Sequence, residues 1–370
     1  MMLTTDIALS NDADYKPISE KYASDIDALN NDFMHSWYKL TNADMGPTSR
    51  CLGDSVPPAQ EFQNPLPAQG ALPDFVPVRS MIQTLLDENS ANGPAFVNLA
   101  YRCAFTYRDT DYKGGCNGAR IRFSPEAEWE SNEGTADALA TLAPVKEMYP
   151  EASMSDIIVL AGQVAVEDAG GEAMTFCGGR VDAFDAAGSD ALAPRKYSPA
   201  VASIRDDMQV KGLSAREGVA LAGRPAVAGN FTNQFYKDLV AGEGDFTEEE
   251  LALLEDEFGA IVNEYAENEG TFKSDFKMAW TKMMVADRFQ GPYENACTGV
   301  DTPTTTAAVN GGLVELDAPE GGAVNVESAE SDNLEEKNDD DKPTPAAAAI
   351  FTNSAVAVLV SGTSFALMML

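Results

Sequence analysis

Apolar residues recur at helical spacing along most of the chain. Ile26, Leu29, Phe33, Trp37 and Leu40 step by three and four, which predicts one apolar stripe along a helix. Val78, Met81, Ile82, Leu85 and Leu86 repeat that spacing. Pro94, at a first turn, is expected to open a helix over 96–108. Residues 154–168 (MSDIIVLAGQVAVED) are apolar nearly all round, so that helix is expected at the centre of the fold. Ser214-x-x-Glu217 and Thr247-x-x-Glu250 are capping-box patterns that open two more helices. Strand signals are few, the best being 119–123 (ARIRF). The pattern predicts a mainly α protein with irregular loops.

The pattern also repeats over a long interval. Tyr22-Ala23, Asp32-Phe33, Trp37, Lys39 and Ala43-Asp44 recur as Tyr265-Ala266, Asp275-Phe276, Trp280, Lys282 and Ala286-Asp287, always 243 residues on. An interval of that size marks a duplicated domain, not a solenoid. The second copy closes its domain, whereas the first opens the chain. The expectation is that residues 1–67 are the carboxyl end of a domain whose larger part precedes Met1, and that 68–296 is a complete second domain. Alone, the first copy should expose apolar surface around Ile26, Phe33 and Trp37.

Charge changes the picture at the carboxyl end. The 370 residues carry a formal net charge of −34. That argues against nucleic acid, which needs clustered Lys and Arg. Residues 297–345 hold twelve Asp/Glu and two Lys with no aromatic residue, a composition expected to form a disordered acidic stalk. Residues 346–370 carry no charge, and the 21 from Ile350 would make a helix of about 31 Å, enough to cross a bilayer. A polar spacer followed by a terminal apolar run reads as a lipid-anchor (GPI) signal, ahead of a retained tail anchor. The expected partner is therefore a membrane surface, reached through the tail. The amino end, MMLTTDIALSNDADYK, has neither the basic nor the apolar region of a signal peptide. Cell-surface attachment thus requires an upstream signal; the alternative is the cytoplasm.

Candidate chemistry is limited by a single histidine, His35, which precludes any multi-His metal site. His35 lies off the apolar stripe and reads as an exposed surface residue. The five cysteines form no CxxC. Cys116 and Cys177 fall in loops flanking the domain and could pair if the chain is secreted, with the pairing left open, and Cys103, on a helix, reads as a buried thiol. Gly114-Gly115 lacks the lysine and the strand–loop–helix setting of a phosphate loop and reads as a turn. Asn230-Phe231-Thr232 is a glycosylation sequon.

Several segments resemble a known family. TNADMGPTSRCLGDSVPPAQEFQNPL (41–66) and the opening 23 residues resemble the end of the amino-terminal, haem-binding domain of bifunctional catalase-peroxidases. FTYRDTDYKGGCNGARIRFSPEAEWESN (105–132), SDIIVLAGQVAVE (155–167), FCGGRVDA (176–183) and FKSDFKMAWTKMMVADRF (272–289) resemble its carboxyl-terminal domain. The resemblance implies a haem-peroxidase-like helical fold, haem b as the family's cofactor, and a homodimer as in the family. It also implies that the family's carboxyl-terminal copy has lost haem and supports the active one.

A haem peroxidase needs a proximal His on iron and a distal Arg-x-x-Trp-His group to split peroxide. Registered on Thr106-Tyr107-Arg108, the distal His position holds Arg102, the Trp position Tyr101 and the distal Arg position Asn98. Registered on Gly223 and Gly229, the proximal His position holds Pro225. Two family site positions remain in the first copy. Asp6 matches the proximal Asp that holds the proximal His, and Arg50 matches an arginine tied to catalase activity; the site they belong to is incomplete here. The expectation is a haem-free, non-catalytic peroxidase-like protein, in which hydrogen peroxide is a partner only if a complete haem domain exists. The alternatives are the carboxyl part of a full catalase-peroxidase that removes hydrogen peroxide, and an adhesion or signalling module.

Overall fold

The computed structural model describes residues 3–53, 55–225 and 229–297, which fall in one compact unit. The expectations for the acidic stretch past Cys297 and for the tail 346–370 lie outside the described residues. Among the described residues, no helix is long and apolar enough to cross a membrane.

The fold is mainly helical, and extended pairing among the described residues is confined to isolated bridges. The first three helices are α1 (Thr4–Asn11), α2 (Tyr15–Ser24) and α3 (Ile26–Asn42). After a long loop come α4 (Phe75–Glu88), α5 (Asn92–Ala104), α6 (Thr135–Met148) and α7 (Met154–Asp168). The rest are α8 (Ala200–Val210), α9 (Ala215–Ala222), α10 (Gln234–Ala241), α11 (Glu248–Ala252), α12 (Asp256–Glu267) and α13 (Glu269–Val285).

Helix α7 is the centre of the domain, as its all-round apolarity predicts. Every residue from Met154 to Val166 is buried, and the Ser153 hydroxyl caps its start by accepting from the Asp156 N–H at 3.0 Å. Helix α5 lies along it, with α4 and α6 alongside. Gly162 permits this approach, since a Cβ there would overlap that of Ala100. The predicted capping boxes open α9 and α11.

The 243-residue repeat is structural as well as sequential. Helices α3 and α13 begin and end at equivalent positions. Asp25 caps α3 by accepting from the Ala28 N–H, and Asn268 caps α13 by accepting from the Thr271 N–H. The Tyr22 hydroxyl donates to Asp32 at 2.9 Å, and the Tyr265 hydroxyl to Asp275 at 2.8 Å. Phe33 stacks on Trp37 as Phe276 stacks on Trp280. Burial separates the copies: Phe276 and Trp280 are each 1% exposed, whereas Phe33 is 61% and Trp37 57% exposed. The apolar face of α3 is uncovered, as the sequence led us to expect.

Three local expectations are corrected. Residues 119–123 are not a strand. Ala119 has a left-handed backbone (φ 45°), so the run cannot stay extended, and Arg120–Arg122 make one 3-10 turn around buried Ile121. Helix α5 stops at Ala104, short of Arg108. The returning loop claims the next residues, since the Thr106 hydroxyl accepts from the Gly115 N–H and the Arg108 N–H donates to the Lys113 carbonyl. The disulfides join Cys103 to Cys116 and Cys177 to Cys297, not Cys116 to Cys177, so Cys103 is no free thiol. The same loop folds Cys116 back over the end of α5, with its Cα 4.7 Å from that of Cys103.

Candidate active site

The positions that would face a haem lie on α5 and just past α9. On α5, Tyr101 is buried, while Asn98 and Arg102 are half-buried. Burial raises the Tyr101 phenol above its ordinary pKa, so it stays protonated. Burial, opposed by Tyr101 and reinforced by Arg224, lowers the Arg102 guanidinium. Arginine still remains a cation at neutral pH and cannot take a proton from peroxide. Arg102 Nε has no hydrogen-bond partner among the described residues.

Helix α9 ends at Gly223, where a side chain would overlap Tyr236. The buried Tyr236 hydroxyl donates to the Val219 carbonyl at 2.8 Å and closes the helix end. Pro225 follows, buried and without a ligand atom. Arg224, beside it, reaches back to α5, with its guanidinium carbon 4.1 Å from the Tyr101 ring centre. A planar ring between two groups needs one van der Waals separation on each face, about 7 Å in all. A residue on α5 and one just past α9 therefore touch, at a separation shorter than that. Among the described residues, no group of three His, Cys, Asp or Glu is placed to hold a metal ion.

The two carried-over site residues are engaged elsewhere. Asp6 accepts from the Leu3 N–H at 2.8 Å in the first turn of its own helix, α1, and is exposed. The Arg50 guanidinium lies 3.8 Å from the Tyr112 ring centre and 4.8 Å from that of Phe289. Arg50 thus stacks on the second copy, far along the chain from α1. His35 is exposed on α3, as expected. Gly114 and Gly115 make a turn, and a side chain on either would overlap Thr106 or Asp287. Asp287, from the repeat, anchors that loop by accepting from the Asn117 N–H at 2.6 Å. The register carried no sign of Arg224, because it flanks a family position without occupying one.

Residues 78–230 match the family model described as Peroxidase. The chain carries a peroxidase-family domain. Over 78% of its length it is homologous to catalase-peroxidases. It is 33% identical over 357 positions to that of Paracoccus denitrificans and 33% identical over 358 positions to that of Sphingopyxis alaskensis. It is also 33% identical over 356 positions to that of an Acinetobacter baumannii strain. The alignments cover 48%, 48% and 49% of those relatives, so the chain spans about half their length. The matched segment contains both α5 and Pro225.

Proposed function

We propose that this catalase-peroxidase-like chain binds no haem and turns over no peroxide by itself, and that its peroxidase domain has a supporting, structural role. The observation that carries this is the Tyr101–Arg224 contact, with Arg102 at the distal base position and Pro225 at the ligand position. Without a base, a ligand or room for the macrocycle, no proton or electron path to peroxide exists within these residues. Residues 1–67 act as the end of a first peroxidase domain, 68–296 as the second domain, 297–345 as an acidic stalk and 346–370 as an anchor signal. Two disulfides and a sequon with exposed Asn230 support an oxidising compartment, which agrees with attachment at the cell surface. Association as a homodimer follows the family, and no nucleic acid is bound.

Titration of the purified full chain with haemin tests the central point. The expected result is no stoichiometric Soret band and no release of oxygen from hydrogen peroxide. A one-to-one Soret band with peroxide turnover overturns the proposal.

A further inference from the structure

A cavity of about 420 Å3 lies where residues 42–69 lap over the peroxidase domain, a volume in the range of small-molecule sites. Leu66 and Phe289 supply apolar wall. Its charged lining is Lys113, Arg120, Arg288 and a single carboxylate, Asp287. In a chain with a net charge of −34, this small region carries a positive excess.

The hydrogen bonding of these groups is incomplete. Arg288 is only 5% exposed; one amino group donates to the Gly178 carbonyl at 3.2 Å, and the other, Nη1, has no acceptor among the described residues. Arg120 donates to the Asn64 carbonyl at 3.3 Å, yet its Nε is unpartnered, as is Gln63 Nε2. Asp287 spends Oδ2 on the Asn117 N–H, which leaves only Oδ1 free. Three donors thus lack a partner in residues that line the cavity, against one carboxylate oxygen that lacks one, and an unmet buried polar group is destabilising. The nearby carboxylates are committed: Asp156 pairs with Arg180 at 2.9 Å, and Glu126 accepts from Ser189 at 2.9 Å. Burial lowers both Arg120 and Arg288 from the ordinary guanidinium value, the strain of cations without full compensation. Water would satisfy donors but bring no charge. Gly118 and Gly179 keep this space open, since a Cβ would lie 2.8 Å from Arg120 Nη1 and 3.0 Å from Arg288 Nη2 respectively.

We propose that this cavity binds a small organic anion, its carboxylate or phosphate group held by Arg288 and Arg120 and its body against Phe289 and Leu66. Guanidinium groups suit both head groups because their paired N–H donors match two oxygens. The site is independent of haem.

Calorimetric titration of the full chain with citrate, with inorganic phosphate, and with chloride at equal ionic strength tests the proposal. Saturable binding of citrate or phosphate near one per chain is expected, absent with chloride. Binding of citrate alone assigns a carboxylate head group, and binding of phosphate alone assigns a phosphate. Arg120→Gln should weaken binding tenfold or more, as should Arg288→Met; if Arg288→Met does not fold, Arg120→Gln decides. Binding no better than chloride, or unchanged in a folded variant, overturns the proposal.

Discussion

Replacing a histidine by an arginine removes a proton acceptor and installs a permanent cation, and on the register proposed above Arg102 does this at the distal base position. Pro225 does the complementary thing, replacing a ligand atom by an aliphatic ring. Both were legible from residue identity and register. The contact between Arg224 and Tyr101 was not, because it joins segments 123 residues apart. Glu126 was equally silent in the sequence. Burial pushes its carboxyl up to about 7, against the opposing pull of Ser189 and Arg120. A carboxyl raised in the folded state is neutral in both states below the unfolded value near 4.5, so its penalty there is nil. As pH rises from about 4.5 to 7 the unfolded state ionises first and the folded state loses stability, on the order of 3 kcal/mol by pH 8. Glu126→Gln keeps an acceptor for Ser189 and removes the charge. Its melting temperature should exceed that of the parent at pH 8 and approach it at pH 5; an equal gap at both values would refute the ionisation account.

Helices α3 and α13 are a natural experiment at the scale of the element. They share length, cap, tyrosine–aspartate bond and aromatic stack, and so differ mainly in what covers them. Trp280→Ala removes a fully buried ring and should cost about 3–5 kcal/mol. Trp37→Ala removes an exposed one and should change stability by no more than about 0.5 kcal/mol. Urea unfolding of the two variants checks this, and a comparable loss in both would mean that α3 is covered in solution. Periodicity found α3, whose stripe from Ile26 to Leu40 falls within Ile26–Asn42, and α13 entered only as its copy 243 residues on. It misjudged 119–123 because alternation of side chains says nothing about the left-handed turn at Ala119, which the packing of the Gly118 loop imposes.

For the molecule as a whole, the disulfides fasten two kinds of loop. Cys103–Cys116 closes a short loop against α5, and Cys177–Cys297 ties the end of the described chain to the middle of the domain across 120 residues. Chain-entropy arguments give about 3 kcal/mol for the first and close to 5 for the second. Cys177→Ser with Cys297→Ser should therefore lower the melting temperature more than Cys103→Ser with Cys116→Ser, measured under non-reducing conditions. Equal losses, or no response of the parent to reductant, would argue that the bonds do not form in solution. Cysteine spacing could not have paired these residues, since the correct partners are set by how loops return over helices.

The sequence by itself determined the helical class, the internal repeat and the central helix α7, because these depend on local period and residue identity. It also supplied the exposed face of α3, through comparison of one copy with the other. Only the tertiary structure decided the disulfide partners, the contact of Arg224 with Tyr101, the stacking of Arg50 on Tyr112 and Phe289, and the cationic cavity. Each of these joins segments tens to hundreds of residues apart. Their proximity is fixed by packing around α5, α7 and α13, which local pattern does not encode.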